Sequence, residues 1–366
     1  MSNCTAAVFT GQPNQLELWE IPLPELQPNE MLVEVLGCTI CPSDLHSIHG
    51  RRETPVPSIL GHEIVGRIVA SGPDTMRSDI RGQPLQVGDR IAWAVIVHCG
   101  NCFYCQNGLT QKCLHSLKYG HARFQPEREL LGGFAEFCLL VADAKVIKLP
   151  DDLPLESACP VGCGTATSAA ALELGGDLSG RDLVIFGAGL LGLTLTAMAR
   201  SAGANQIVCV DPNPERARRG LEFGASAAIS PAELPDFQRD ANRGHGFDVA
   251  WETSANPAAF ELAIPALRMG GKLIELGAVY PVPPSPLLLE QLVKRNLTIF
   301  GQHNYSPRHL AAAVDFLENH EQRFPFSSLV EKWITLGELP AAVAPARCGA
   351  SIRVGVRPRQ EKGNAS

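Results

Sequence analysis

The feature that most constrains the fold is a glycine-rich turn between a short apolar segment and a helical pattern. The segment 182–186 is strand-like. The turn after it consists of Gly187, Ala188, Gly189, Leu190, Leu191 and Gly192. In such a turn the first glycine permits the tight bend, the second lets a pyrophosphate approach the backbone, and the third lets helix and strand pack closely. The pattern therefore predicts a dinucleotide site with its phosphates at a helix N-terminus.

An acidic residue stands where the adenosine ribose of such a cofactor would lie. Asp211 directly follows the strand-like segment 206–210. A carboxylate there can accept hydrogen bonds from both ribose hydroxyls and repels a 2′-phosphate, which favours NAD over NADP. Arg216 is the counter-argument, because an arginine nearby can accept a 2′-phosphate. An ordinary strand-end aspartate beside a glycine turn is the alternative interpretation.

The chain of 366 residues has a length suited to two domains, and its two parts differ in their predicted secondary structure. Up to about residue 150, short strand-like segments broken by Gly and Pro predict a β-rich domain. Beyond residue 155, strand-like segments alternate with helical patterns, which predicts βαβ units and a doubly wound parallel sheet. The strands of this α/β part are predicted at 182–186, 206–210, 248–251 and 272–276, and its helices at 190–202, 214–223 and 258–269.

Charge and hydropathy exclude several classes of partner. The formal net charge is -7 at pH 7, which argues against binding to nucleic acid or to an anionic membrane surface. The chain has no apolar run of about 18 residues, the length that a transmembrane helix needs. The N-terminus lacks the basic start and apolar stretch of a signal peptide, so we expect a cytoplasmic protein.

Four of the twelve cysteines lie close together, at Cys99, Cys102, Cys105 and Cys113. In a cytosolic chain, clustered thiols bind metal more often than they form disulfides. Four thiolates at these spacings can close a tetrahedron around one Zn²⁺ and leave no position for a substrate. The quartet therefore predicts a structural zinc site. An iron–sulfur cluster, which also takes four cysteines, is the alternative.

Three separated segments supply a second set of ligands. Cys41 begins Cys-Pro-Ser-Asp-Leu-His, His62 lies in Gly-His-Glu, and Cys163 lies in Gly-Cys-Gly. Two thiolates and one imidazole leave the fourth position of a tetrahedron open, as in a catalytic zinc site. Each segment alone is a weak signal, and Cys159 is the alternative ligand to Cys163.

Together these motifs, with Ser-Ile-Arg at 351–353, resemble those of the zinc-containing medium-chain alcohol dehydrogenases over essentially the whole chain. The segments 118–121 and 303–310 resemble a bacterial subgroup associated with phosphonate catabolism. The family resemblance implies a GroES-like β-rich catalytic domain at 1–164, to which 301–366 returns. It also implies a Rossmann NAD-binding domain at 165–300.

The resemblance further implies roles at the metal. Two zinc ions are expected per subunit, with Glu63 beside the catalytic one as a transient ligand and Asp44 orienting His62. Zinc is expected to act as a Lewis acid that lowers the pKa of the alcohol. The proton is expected to leave through the Ser43 hydroxyl, a ribose hydroxyl and then His46, whose ordinary pKa near neutrality suits a terminal base.

The expected cofactor is NAD. Besides the glycine turn, the residues expected to contact it are Thr167 at the nicotinamide, Asp211 and Arg216 at the adenosine ribose, and Arg353 at the pyrophosphate. The expected reaction is hydride transfer between a primary or secondary alcohol and NAD, giving an aldehyde or ketone. We expect a small alcohol or carbonyl compound as the substrate and a homodimer or homotetramer as the assembly.

Two alternative functions follow from the same sequence. One is a zinc-independent quinone or enone reductase on the same fold, and the two intact ligand sets argue against it. The other is a non-enzymatic NAD-binding protein, and the presence of both Ser43 and His46 argues against that.

Overall fold

The computed structural model of the chain describes residues 3–75, 78–344 and 351–359. These residues form two compact units. The first contains the described residues up to Cys163, then Tyr305–Glu321, then the described residues from Phe326 onward; the second contains Gly164–Asn304 and Gln322–Pro325.

Strands and helices are numbered separately, each in chain order. The strands are β1 (Asn3–Phe9), β2 (Glu17–Pro22), β3 (Met31–Thr39), β4 (Ser58–Ile59), β5 (Glu63–Ser71), β6 (Arg90–Trp93), β7 (Ile96–Val97), β8 (Leu117–Lys118), β9 (Phe137–Leu140), β10 (Val146–Lys148), β11 (Asp182–Phe186), β12 (Gln206–Val210), β13 (Ala227–Ile229), β14 (Phe247–Glu252), β15 (Leu267–Glu275), β16 (Thr298–Gly301), β17 (Val330–Thr335) and β18 (Arg353–Arg357). The helices are α1 (Pro42–Ile48), α2 (Phe103–Gln106), α3 (Leu155–Ala158), α4 (Gly164–Gly175), α5 (Leu190–Ser201), α6 (Pro214–Glu222), α7 (Leu234–Asp240), α8 (Pro257–Ala266), α9 (Leu289–Lys294), α10 (Pro307–His320) and α11 (Leu339–Ala342). Short 3-10 helices cover Thr110–Lys112, Cys159–Gly162, Pro231–Glu233, Ala241–Gly244, Phe326–Leu329 and Leu336–Glu338.

The first unit is built mostly on antiparallel sheet, although β17 and β18 pair in parallel. Its largest sheet has the order β10-β6-β5-β3-β18-β17, with β9 also paired to β3. Strands β3 and β5 pair from Met31–Ser71 to Thr39–Glu63, and alternate side chains such as Val33 and Ile68 point into one apolar core. Because this ladder ends at Glu63, it fixes the point where the adjoining His62 leaves the sheet. The β-rich domain predicted from the sequence is confirmed.

The second unit is a parallel sheet with helices on its faces. The strand order is β13-β12-β11-β14-β15-β16, and each neighbouring pair runs parallel. Strands β11 and β12 have the predicted bounds, and α5 and α6 each end one residue before the predicted position. The doubly wound α/β fold predicted for this part is therefore confirmed.

One helix of the second unit ends earlier than predicted. The pattern predicted a helix over 258–269, but α8 ends at Ala266 and the chain is already extended at Leu267. Leu267 pairs with Phe247 at the start of the β14–β15 ladder, and a register shift follows before the ladder resumes at Val249. Pairing with a neighbouring strand thus overrides the local helical pattern, and Pro265 weakens the last helical turn.

The chain passes between the two units at four points, after Cys163, Asn304, Glu321 and Pro325. The first crossing falls between Cys163 and Gly164, against a predicted boundary at 164. The main return falls at Tyr305 rather than at 301, because Gly301 pairs with Glu275 as the end of β16. None of the helices in the described part of the chain is both long enough and apolar enough to cross a bilayer.

Candidate zinc and dinucleotide sites

The start of helix α1 positions a buried carboxylate beside a candidate metal ligand. Pro42 occupies the first turn, where its fixed φ and missing N–H are tolerated, and Cys41 is the N-cap residue. The Asp44 side chain is completely buried and accepts the backbone N–H of Cys41 through Oδ2 at 2.9 Å. The helix start therefore holds Cys41 and Asp44 in one fixed arrangement.

The same carboxylate orients the second candidate ligand. Oδ1 of Asp44 lies 3.0 Å from Nδ1 of His62 and also accepts the backbone N–H of Gly61 at 3.2 Å. A carboxylate at Nδ1 assigns the proton to that nitrogen and leaves the lone pair of Nε2 for a metal. Gly61 has a positive φ of 82°, and a Cβ there would lie 2.6 Å from the Phe134 ring. Glycine is therefore required for the chain to turn towards Asp44.

Four side chains converge on one point of the first unit. The ligand atoms of Cys41, His62, Glu63 and Cys163 all lie within 4.8 Å of one another. In a tetrahedral zinc site with bonds of about 2.0–2.3 Å, the ligand atoms are roughly 3.3–3.8 Å apart, so this group fits one Zn²⁺. The pKa of Cys41 lies well below the usual range of a thiol. A hydrogen bond from the Cys163 thiol is the main cause and the charge of Arg353 adds to it, although burial acts in the opposite direction.

Neighbouring residues hold Cys163 in this group. Cys163 follows the 3-10 helix Cys159–Gly162, and the Tyr305 hydroxyl donates to the carbonyl of Gly162. The backbone N–H of Val95 in turn donates to the Tyr305 oxygen at 3.3 Å. Cys159, the alternative ligand, is not part of the ligand group formed by the described residues. Its thiol lies towards Gly37 instead, within 3.2 Å of where a Cβ would stand on that glycine.

Glu63 is held by an arginine from the far end of the chain. Nε and Nη2 of Arg353 donate to Oε2 and Oε1 of Glu63 at 2.8 and 2.9 Å, and the Thr39 hydroxyl donates to Oε2 at 2.5 Å. Both charges are buried, so each compensates the other. Nη2 of Arg353 also lies 3.8 Å from Sγ of Cys41. The structure thus places Arg353 beside the metal ligands, and its contact with the cofactor pyrophosphate stays a prediction.

The two residues of the expected proton relay lie on α1. The Ser43 hydroxyl lies 3.4 Å from Nε2 of His62, on the side of the ring that faces the metal group. His46 follows one helical turn later and is partly buried. Burial, and then the charge of Arg51, lower the pKa of His46, which favours a neutral imidazole that can accept a proton. Their connection through a ribose hydroxyl stays a prediction.

The cysteine quartet forms a separate group in the first unit. The sulfurs of Cys99, Cys102, Cys105 and Cys113 lie within 4.8 Å of one another. The Cys113 sulfur is 3.5 Å from that of Cys99 and 3.9 Å from that of Cys102, close to the roughly 3.8 Å expected between sulfurs around one Zn²⁺. An iron–sulfur cluster places several iron atoms between its cysteines and needs wider spacing, so a single ion fits better.

Backbone N–H groups support the thiolate form of part of this quartet, whereas burial raises the pKa of Cys105 to about 12. Those of Cys99 and His115 point to the Cys113 sulfur at 3.4 and 3.3 Å. Those of Cys105 and Leu114 lower the pKa of Cys102 to about 6. Because thiolates rather than thiols bind zinc, this arrangement favours binding of the ion.

The glycine turn lies in the second unit, between β11 and α5. Gly187 has a φ of 95°, and a Cβ on Gly192 would lie 1.8 Å from the Gly187 carbonyl oxygen, so only glycine fits at either position. Gly189 is the N-cap of α5 without any side-chain cap, and the space around its Cα is open. Uncapped N–H groups beside open space suit a bound phosphate, so the turn fits a dinucleotide.

Leu190 and Leu191 of the turn make contacts within the second unit that hold α5 in place, rather than facing the open space at Gly189. A Cβ on Gly164 would lie 2.1 Å from Cδ2 of Leu190, so this leucine packs directly against α4. The Ser168 hydroxyl donates to the backbone carbonyl of Leu191 at 3.3 Å. Thr167, the residue expected at the nicotinamide, lies on the same helix and is partly buried.

The Asp211 carboxylate is tied to the turn. Its Oδ2 accepts the backbone N–H of Ala188 and its Oδ1 accepts that of Asn213, both at 2.9 Å. Each oxygen retains a further lone pair that can accept a ribose hydroxyl. Arg216 lies in the first turn of α6, where its backbone N–H donates to the side chain of Asn213.

Sequence reasoning missed residues that position both sites. The Thr253 hydroxyl donates to the carbonyls of Phe186 and Gly187 at 2.8 and 3.1 Å and so secures the glycine turn. A hydroxyl residue just beyond β14 was the only local signal. His121 was noticed only within a sequence motif, yet its ring centroid lies 5.0 Å from that of His62. Together with Asp44, the two histidines form a buried group.

Known proteins share both units. Residues 27–151 match the alcohol dehydrogenase GroES-like domain and residues 191–319 match the zinc-binding dehydrogenase domain. The chain is 33% identical to the L-threonine 3-dehydrogenase of Aeromonas salmonicida over 300 residues, which cover 78% of this chain and 81% of that protein.

Solved structures show the same similarity. An alcohol dehydrogenase from Thermotoga maritima superposes with a TM-score of 0.91 at 26% identity, covering 98% of this chain and all of that one (100%). An alcohol dehydrogenase from Thermus sp. ATN1 gives a TM-score of 0.82 at 27% identity, covering 96% of this chain and 99% of that one.

Proposed function

Because the chain belongs to the zinc-binding medium-chain alcohol dehydrogenase family, we propose that it is a zinc-dependent enzyme that transfers hydride between an alcohol and NAD. The product of oxidation is the aldehyde or ketone. One observation carries the proposal: Cys41, His62 and Cys163 meet at one buried point, with Asp44 fixing the imidazole. Three such ligands hold Zn²⁺ and leave a position for the substrate oxygen.

The surrounding charges suit that role. Zinc supplies a Lewis acid that acidifies an alcohol hydroxyl and polarises a carbonyl. Two thiolates cancel the charge of the ion, and Arg353 cancels the charge of Glu63. Because Arg353 binds both of its oxygens, Glu63 is held beside the metal as the ion-pair partner of that arginine. It becomes a ligand of the metal only when this ion pair opens.

The protein itself carries the proton away from the substrate. Ser43 lies beside the metal-facing nitrogen of His62, where its hydroxyl can accept the proton of the alcohol. His46 lies one turn along the same helix and takes that proton towards solvent. A ribose hydroxyl of bound NAD would supply the link between these two residues.

The second unit would bind NAD, which would supply the acceptor for the hydride. The N-terminus of α5 holds the pyrophosphate, and Asp211 accepts the ribose hydroxyls. In this proposal Thr167 contacts the nicotinamide, Arg216 lies beside the ribose, and Arg353 reaches the pyrophosphate. The quartet from Cys99 to Cys113 holds a second zinc that contributes folding energy, and the enzyme assembles as a homodimer or homotetramer.

A substrate panel tests this function. Purified protein of measured zinc content is assayed for NADH formation with primary alcohols, secondary alcohols and L-threonine, the last because the chain is similar to an L-threonine 3-dehydrogenase. We expect two zinc ions per subunit and turnover of at least one secondary alcohol. Reduction of quinones or enones without any alcohol oxidation would instead favour the zinc-independent reductase. NAD binding without turnover of any compound would favour a non-enzymatic protein.

A further inference from the structure

The segment 118–121 lies beside the metal group of Cys41, His62, Glu63 and Cys163. It contains a lysine, Lys118, that the proposed mechanism does not use. Lys118 ends β8 and pairs with Ile96 of β7. Two residues later, a Cβ on Gly120 would lie 2.6 Å from the Gly61 carbonyl oxygen and 2.9 Å from Cβ of His62. The backbone of this segment therefore lies directly against the segment that supplies a metal ligand.

A second cation, Arg52, belongs to the segment that follows α1. The backbone N–H of Arg52 donates to the carbonyl of His46 at 3.1 Å, so Arg52 lies just beyond the helix that carries Ser43 and Asp44. Its charge acts on Lys118: burial, and then Arg52, lower the pKa of Lys118 to about 8. The charges of Cys163, Cys41 and Asp44 also act on Lys118. Lys118 thus lies in the field of both the metal ligands and Arg52.

Within the part of the chain that the structure describes, neither Lys118 nor Arg52 forms an ion pair with a carboxylate. The acids of the metal group are already engaged, since Asp44 binds His62 and Glu63 binds Arg353, and Glu53, next to Arg52 in the sequence, is exposed. Placing two like charges together at a partly buried site is unfavourable unless an anion joins them.

We propose that the alcohol substrate carries an anionic group, a carboxylate or a phosphonate, that Lys118 and Arg52 bind together. The inference rests on the proposed function, because the hydroxyl of this substrate occupies the position at the zinc. It deepens that function by naming the class of alcohol. An ammonium and a guanidinium both donate charge-assisted hydrogen bonds, and the guanidinium can bind two oxygens of the anion at once.

The first test is a matched substrate series with the zinc-loaded enzyme. Butan-2-ol, 3-hydroxybutanoate and 2-hydroxypropylphosphonate all present a secondary hydroxyl beside a methyl group, but only the last two are anions. L-threonine is the carboxylate compound with an added ammonium group. We expect kcat/KM for at least one anion to exceed that for butan-2-ol by roughly 10-fold or more, from one charge-assisted contact. The anion with the higher kcat/KM shows whether the site prefers a carboxylate or a phosphonate. Equal or better turnover of butan-2-ol overturns the inference while leaving the dehydrogenase function intact.

The second test uses variants. Lys118→Gln and Arg52→Gln should each raise KM for the preferred anion by roughly 10- to 100-fold and change the constants for butan-2-ol little. Lys118→Arg should keep most of the anion preference. Lys332→Gln, on an exposed part of β17, is the matched control and should change nothing. Equal losses with anionic and neutral alcohols would mean a structural role and overturn the inference.

A binding measurement provides a readout without turnover. Calorimetric titration of the zinc-loaded protein with butanoate, which has no hydroxyl, should show binding that Lys118→Gln and Arg52→Gln both weaken. Butanoate that binds wild type and variants alike overturns the inference. If no alcohol of any kind is oxidised, the proposed function has failed. The butanoate titration then still decides whether Lys118 and Arg52 bind an anion.

Discussion

The guanidinium of Arg353 binds both carboxylate oxygens of Glu63, at 2.8 and 2.9 Å, in the buried surroundings of the candidate catalytic zinc. The two residues are 290 positions apart in the sequence. Strand β18 makes the contact through its pairing with β3, because β3 also pairs with β5, which begins at Glu63. The final strand of the first unit is therefore part of the metal site.

This ion pair gives a stability prediction. Arg353→Met leaves the buried Glu63 charge without its partner, which should lower the free energy of unfolding by about 3–5 kcal/mol. The double variant Arg353→Met with Glu63→Gln removes both charges and should recover a large part of that loss. Arg357→Met, an exposed position on the same strand, is the control. If Arg353→Met and Arg357→Met have the same free energy of unfolding in urea, the ion pair of Arg353 and Glu63 contributes nothing to stability.

His46→Gln tests the proton relay. The variant should keep its zinc and its affinity for NAD but oxidise alcohol roughly 10- to 100-fold more slowly near pH 7, at the low end of general-base effects. The deficit should shrink as pH rises, because hydroxide can then take the proton. Steady-state rates over a range of pH and a zinc assay measure both effects. Loss of zinc from this variant would instead identify His46 as a ligand.

Asp211 should impose a preference for NAD of roughly 100-fold in kcat/KM. The carboxylate repels the 2′-phosphate of NADP. Asp211→Asn removes the charge and keeps the size of the side chain, although its single carbonyl oxygen can accept only one of the two N–H groups, of Ala188 and Asn213, that the carboxylate binds. It should narrow the ratio mainly through KM for the cofactor, whereas Glu215→Gln, an exposed acid on α6, should not. Wild-type enzyme that uses NADP as well as NAD would show that Arg216 outweighs Asp211.

The anion preference should depend on pH through Lys118, whose pKa lies at about 8. The lysine is charged well below that pH, half charged near it and neutral well above it, so the preference should be full only at pH values well below 8 and should decline as the pH rises through 8. The other charges that act on Lys118 come from Arg52, Cys163, Cys41 and Asp44. The quantity to measure is the ratio of kcat/KM for the anionic and neutral alcohols, since effects common to both cancel. Lys118→Arg should keep the ratio constant to higher pH, and a wild-type ratio that rises above pH 8 would contradict the assignment.

Local patterns made much of this structure predictable. The glycine spacing of the turn and the cysteine spacing of the quartet are each contained in a few consecutive residues. The chemistry of such segments requires particular residue types at particular spacings, whatever surrounds them. The parallel sheet was predictable for a similar reason, because strand-like and helical patterns alternate along 182–276.

Contacts between distant segments were not predictable in this way. Nothing near Arg353 indicates that it pairs with Glu63, and the family resemblance placed it at the pyrophosphate. The close packing of the segment after Lys118 against Gly61 and His62, which Gly120 permits, likewise joins parts of the chain that are far apart in sequence. The early end of α8 likewise depends on pairing with β14, which a helical pattern cannot register.

The most direct test of the proposed mechanism is zinc removal and return at the site of Cys41, His62 and Cys163. Cys163→Ser should fold like wild type and retain the zinc of the quartet. It should not oxidise any alcohol, because it lacks the zinc whose fourth coordination position is open to the substrate. Wild-type protein dialysed against a chelator until one zinc per subunit remains should likewise be inactive, and stoichiometric Zn²⁺ should restore NADH formation. Full alcohol oxidation by Cys163→Ser, or by wild-type protein that holds zinc only in the quartet, would contradict the proposed mechanism.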